Sequence, residues 1–179
     1  MPRRYRLGKR QPAVDATARS ILSAARQLVH EAPSAEVSVA EIARRAGVSR
    51  ITVYNRFGSR EALLEALAGR PANPVPPGED PIDDLRRHLA GACARWATDP
   101  HLFRNLAIPA VPDDGGARGL AERLAASDRL RPGCSLREAA DVIDTLTSFS
   151  VFDRLHHDGR RTPAAVAEIL MRLGAAILA

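Results

Sequence analysis

The sequence predicts an all-α chain of about nine helices, and three observations carry that prediction. First, apolar residues recur at helical spacing through most of the chain, while no region alternates β-branched residues with period two. Second, hydrophobic residues make up 45% of the chain but aromatics only 4%. The apolar mass is therefore mostly Ala, Leu, Val and Ile, and alanine and leucine favour helix. Third, the stretch Ser38–Leu67 reads as short apolar-striped helices separated by glycines, the layout of a helix-turn-helix DNA reader.

A chain of 179 residues suits one small domain fused to a slightly larger one. We expect a flexible basic arm over residues 1–12, a helix-turn-helix domain over 13–70 and a proline-rich linker over 71–81. A helical second domain would fill 82–179. The arm carries Arg3, Arg4, Arg6, Lys9 and Arg10, which repel one another in an isolated helix and suit attraction to phosphates.

The first helix should run from Asp15 to Glu31, capped by Asp15 or Thr17. Ile21, Leu22, Ala25, Leu28 and Val29 form its buried stripe, and Pro33 stops it. Ser38 then caps the second helix, with Glu41 completing a capping box. Val39, Ile42, Ala43 and Ala46 share one face of it, and Glu41, Arg44 and Arg45 lie away from that face. Gly47 ends it where φ turns positive, Val48 plugs the turn and Ser49 caps the third helix, Arg50 to Arg56. Val53 and Phe57 point inward, leaving Arg50, Thr52, Tyr54 and Asn55 on other faces. Gly58 breaks this helix, and Ser59 caps a fourth that runs to about Gly69 with Leu63, Leu64 and Leu67 inward.

Charge agrees with this reading. Residues 1–70 hold 13 basic and 6 acidic groups, a net +7; residues 71–179 hold 13 and 15, a net −2. The positive excess sits with the reader, as a phosphate-binding surface requires.

The same stretch resembles the tetracycline-repressor (TetR) family of bacterial transcription regulators. The resemblance rests on Val39, Ile42, Ala43, Ala46-Gly47-Val48-Ser49, Thr52, Val53-Tyr54, Phe57 and Ser59-Arg60-Glu61-Ala62-Leu63-Leu64, and covers roughly residues 15–67. Arg60 departs from the lysine usual in the family but keeps the charge. The resemblance implies a homodimer that binds a palindromic operator in double-stranded DNA and is released by a small-molecule effector. The DNA-binding candidates are Ser49, Arg50, Thr52, Tyr54, Asn55, Arg56 and Arg60. Arg50 suits a guanine edge and Thr52 a thymine methyl or base acceptor. Tyr54, Arg56 and Arg60 suit phosphates, Arg60 with the amides that open its helix.

The linker RPANPVPPGEDP has too many prolines to be helix interior. Beyond it, Ile82, Leu85, Leu89, Ala92, Cys93 and Trp96 predict a helix from Pro81 to Thr98. A short helix follows over 101–108, then one from Ala117 to Leu130 with Leu120, Leu124 and Ala125 inward. Ser135 and Glu138 cap a long helix to about His157, striped by Leu136, Ala139, Ala140, Ile143, Leu146, Thr147 and Ser150. Thr162-Pro163 opens the last helix, lined by Val166, Ile169, Leu170, Leu173, Ile177 and Leu178. These last two helices carry more apolar surface than one small bundle buries. By resemblance, residues 135–178 form the dimer interface. The resemblance also implies an effector pocket in this domain, for which Trp96, His101, Phe103, Thr145, Phe149 and Phe152 are candidate lining residues; ordinary core is the simpler role for each.

Cys93 and Cys134 have no metal or disulfide spacing, and His156-His157-Asp158 with Asp153 would point in different directions at a helix end. No metal or cofactor is expected. No nucleophile elbow, Walker loop or zincin motif occurs, so no catalytic residues are assigned. No signal peptide or membrane-length apolar run is visible, which predicts a cytoplasmic setting. An effector-independent or architectural DNA-binding protein is the alternative.

Overall fold

The structure is a computed structural model, and it describes residues 10–33, 36–69, 77–106 and 116–178. Among these residues all regular structure is helical: ten α-helices and one π-helical turn, with no strand. They are α1 (Arg10–Glu31), α2 (Val39–Ala46), α3 (Arg50–Phe57), α4 (Arg60–Ala68), α5 (Pro81–Ala97), α6 (Pro100–Leu106), α7 (Gly116–Ala126), α8 (Leu136–Thr147), α9 (Phe149–Asp153), the π turn (Arg154–Asp158) and α10 (Pro163–Leu178).

The chain divides into two compact units. The first holds α1–α4 and residues 101–106 of α6. Its core is Ile21, Ala24, Ala25, Leu28 and Val29 of α1 against Val39, Ile42 and Ala43 of α2, Val53 of α3, and Leu63, Leu64 and Leu67 of α4. The expected α1 stripe is present except that Leu22 is only half-buried and Ala24 replaces it. This helix begins at Arg10, so Asp15 and Thr17 lie inside it and do not cap it. Arm residues 1–9 lie outside the described residues, and 10–12 belong to α1.

Residues 101–106 differ from their expected place in the second domain. Leu102, Phe103 and Leu106 are buried, Asn105 donates to the Val29 carbonyl at 2.7 Å, and His101 stacks on His30 with ring centroids 5.0 Å apart. These contacts assign the segment to the first unit.

In the second unit α5 packs against α7, α8, α9 and α10, and α7 packs on α8. Leu85, Leu89, Cys93 and Trp96 of α5 meet Leu120 and Leu124, Ala139, Ile143 and Leu146, Phe152, and Val166 and Leu170 in its core. Of the expected linker, 71–76 lie outside the described residues. Its end is anchored: Asp80 caps α5 by accepting from Ile82 N–H at 2.9 Å, with Pro81 in the first turn. Asp84, only 4% exposed, accepts from the Gly78 amide at 3.0 Å and pairs with Arg87 and Arg123. It therefore joins the linker exit, α5 and α7.

Two further helices depart from expectation. The seventh helix stops at Ala126 rather than Leu130: Asp128 takes a positive φ of 55°, and Ala125 is exposed rather than inward. The long helix expected from Ser135 to His157 is broken at Ser148, whose ψ of 147° is extended. Ser148 ends α8 and caps α9 at the same time, its Oγ accepting from the Val151 amide. Thr145 and Thr147 hydroxyls also bond back to carbonyls one turn earlier, a competition that weakens a helix at that point. The break leaves Ser150 exposed, and Leu136 at the start of α8 is 48% exposed instead of buried. On α10, Met171 is buried while Leu173 is 45% exposed.

Candidate nucleic-acid interface

The reader is built from caps. Ser38 Oγ accepts from the Glu41 amide at 3.1 Å. The reciprocal half of the capping box is absent, because Glu41 turns to Arg44 at 2.6 Å. Gly47 ends α2 at φ 68° and ψ 30°, a left-handed conformation that carries no penalty without a Cβ. The Val48 amide then closes on the Ala43 carbonyl at 3.0 Å, and Ser20 of α1 donates to the Ala46 carbonyl at 3.3 Å. Ser49 Oγ accepts from the Thr52 amide at 3.1 Å and shares a hydrogen bond with the Thr52 hydroxyl at 2.9 Å, so α3 begins without an orphan donor at that position.

Val53 is the buried anchor of α3, at 1% exposure, and Phe57 is half-buried. On its other faces Arg50, Tyr54 and Asn55 are exposed, as expected, and so is Ile51. Ile51 at 71% is the most exposed large apolar side chain described, and Tyr54 stands at 49%. Arg50 and Tyr54 line a shallow groove with residues 36–40, which lead into α2, and with Arg60. The residues opening α2 and three side chains able to donate thus share one depression.

The remaining candidates are tied to the protein. Thr52 and Ser49 bond to each other. Arg56 reaches Asp15 on α1 at 3.4 Å. Arg60 is half-buried and its Nε donates to the Val37 carbonyl at 3.2 Å. Arg45 pairs with Glu31 at 2.5 Å, and that hydrogen bond holds the Glu31 carboxyl below its ordinary range while raising the guanidinium. These pairs brace α1 against α2 and α3.

The candidate effector-pocket residues fall in both units. His101 and Phe103 sit in the first unit. Trp96, Phe149 and Phe152 do come together in the second, with Trp96 edge-on to Phe149 at 5.5 Å and Phe149 6.4 Å from Phe152. Phe152 stacks on His156 at 4.9 Å. Trp96 and Phe152 are buried, and the indole Nε1 donates to the Thr147 carbonyl at 2.9 Å. Thr145 is exposed and lines a different, open groove on α8 with Ser135, Arg137, Glu138, Asp141, Val142 and Leu146.

His156 Nδ1 is 2.6 Å from the Arg161 carbonyl, and no cluster of three or more metal-type ligands occurs among the described residues. Cys93 and Cys134 are free thiols. Among the described residues no helix is long and apolar enough to cross a membrane.

Sequence comparison places the reader in a known family. Residues 21–67 match the family described as "Bacterial regulatory proteins, tetR family". The chain is 32% identical over 108 residues to the HTH-type transcriptional regulator EthR of Mycobacterium tuberculosis, a match covering 58% of this chain and 46% of EthR. The aligned segment thus spans about half the length of that relative. Two solved structures share the fold. NalD, the secondary repressor of the MexAB-OprM multidrug efflux pump in Pseudomonas aeruginosa, superposes with a TM-score of 0.68 at 24% identity, covering 93% of this chain and 97% of NalD. The transcriptional regulator FadR from Bacillus subtilis, in complex with stearoyl-CoA, gives 0.67 at 17% identity, covering 88% and 97%. Residues 21–67 thus carry the helix-turn-helix segment of the tetR family of bacterial regulatory proteins, within an all-α fold that these solved structures share.

Proposed function

We propose that this protein is a DNA-binding transcription regulator, acting as a homodimeric repressor on a palindromic operator and released by a small-molecule effector. One observation carries the DNA-binding core of this reading. In the first 70 residues, with net charge +7, α3 buries Val53 and leaves Arg50, Tyr54 and Asn55 exposed, Arg50 and Tyr54 beside the residues that open α2. A helix so presented fits the major groove, and a dimer sets two of them ~34–36 Å apart, one turn of DNA.

The dimer is assigned to residues 135–178. Among the described residues, Leu136 and Leu173 are the large apolar side chains left exposed there, and α10 adds exposed Ala164, Ala165 and Ala176, small enough for close helix approach. An effector is supported by the family that residues 21–67 match and by FadR, a protein of the same fold solved with stearoyl-CoA. An effector-independent regulator is the second reading. It is favoured by the packing of Trp96 and Phe152 into the second unit's core.

Selection of bound sequences from random DNA tests the proposal. It should return a two-fold symmetric site, bound with steep salt dependence. Equal affinity for selected and random DNA at physiological salt would sink it. Stearoyl-CoA is the first probe for the effector: release of the operator complex supports the responsive reading over the second.

A further inference from the structure

We infer that Ile51 is a base-reading residue that takes up a thymine methyl group in the major groove. The inference rests on the DNA-binding reading above and deepens it. Exposure alone does not carry it, since single exposed apolar side chains are ordinary. The helical register does.

Val53 fixes which way α3 faces, because it is its buried anchor. Each residue turns an α-helix by about 100°. Ile51 and Asn55, two positions before and after Val53, therefore each stand about 160° around from it. These two side chains point straight out of the domain. Arg50 and Tyr54, four apart, lie to one side and line the groove shared with Arg60 and residues 36–40. That edge gathers a guanidinium, a phenol and the amides opening α2, which suits the sugar-phosphate backbone.

The outward pair is then left to meet base edges. The two side chains divide the work by chemistry. Asn55 can donate and accept at once, as an adenine N6/N7 edge requires; Ile51 offers neither donor nor acceptor. Its 71% exposed side chain sits between Tyr54 and Asn55 with nothing polar to offer a phosphate or a guanine. On the major-groove side of a base pair the apolar feature is the thymine C5 methyl. Covering Ile51 with that methyl removes both from water, while any other base edge would lose hydrogen-bonding water against it.

The experiment is a cycle between protein and DNA. In the selected site, each thymine is replaced singly by deoxyuridine, which deletes the methyl and keeps the pairing and charge. The wild-type chain should bind about four-fold more weakly at one thymine position per half-site, the effect of one buried methyl. Ile51→Ala should bind the unmodified site more weakly and be indifferent to uridine at that position. Ile51→Thr, which keeps one branch methyl, should fall between the two. Helicity and melting temperature of both variants should match wild type. The inference is overturned if Ile51→Ala loses the same factor as wild type, or if wild type is indifferent at every thymine. A selection that yields no preferred sequence fails the DNA-binding reading itself, a result distinct from either.

Discussion

Arg60 Nε donates to the Val37 carbonyl at 3.2 Å, which fastens the residue opening α4 to the segment that enters α2. Arg60 therefore has a structural role besides any contact with phosphate. Arg60→Ala should lower unfolding free energy by about 1 kcal/mol, the net worth of one such hydrogen bond. DNA affinity should fall as well. Urea unfolding and a binding titration on the same variant separate the two: unchanged stability would show that the Val37 bond does no work.

Tyr54 stands apart from the core, and its substitution should read differently. Tyr54→Ala should leave stability within about 0.5 kcal/mol, as for most surface positions. Operator affinity should drop roughly ten-fold, about what one lost charge-assisted phosphate contact costs. A melting temperature that collapsed together with affinity would place Tyr54 in the core, against its 49% exposure.

Asp84 is buried, and its carboxylate serves the Gly78 amide, Arg87 and Arg123 together. Removing one partner of a buried ion pair costs about 3–5 kcal/mol. Here both arginines are partly exposed, so solvent screening reduces the expected loss for Asp84→Ala to about 2 kcal/mol. Gly78→Ala probes the same cluster from the backbone. Its new Cβ would lie 2.6 Å from Arg87 Nη2 and 2.9 Å from Asp84 Oδ1, displacing both. Calorimetry should show both variants melting below wild type, with Gly78→Ala the milder. Wild-type melting in both would refute the anchoring role.

The two thiols should differ in reactivity. Burial pushes the Cys93 thiol up to about 11, while Cys134 is half-exposed. At pH 8 the thiolate fraction of Cys93 is then on the order of one in a thousand. Iodoacetamide should modify Cys134 in the native protein and Cys93 only after denaturation. Peptide mass mapping decides it; early labelling of Cys93 would mean that α5 opens readily.

The reader was legible because its punctuation is local. Ser38, Ser49 and Ser59 each bond an amide three residues ahead, and Gly47 and Gly58 end helices by their own backbone freedom. Such signals need no tertiary context. The break at Ser148 was not legible in the same way. TSFS contains neither glycine nor proline, and the apolar stripe of α8 continues in register past it. The one local cue is the cluster Thr145, Thr147, Ser148 and Ser150, whose hydroxyls compete for backbone groups. Asp84 and Arg87 look in sequence like a solvated pair at i and i+3; only Arg123, far along the chain, makes the site a buried one. The placement of His101 and Phe103 with α1 likewise depends on long-range packing. Ile51 is less legible, because an apolar residue reads by default as core, although its offset from Val53 sets it on the opposite face.

Trp96 is the one tryptophan in the chain, and its indole N–H is bonded to the Thr147 carbonyl where α8 gives way to α9. The protein therefore carries its single indole fluorophore at its own helical break. Its emission wavelength reports the dryness of that junction alone, undiluted by a second indole. Any event that straightens, frays or wets the kink becomes visible as a colour change without a label.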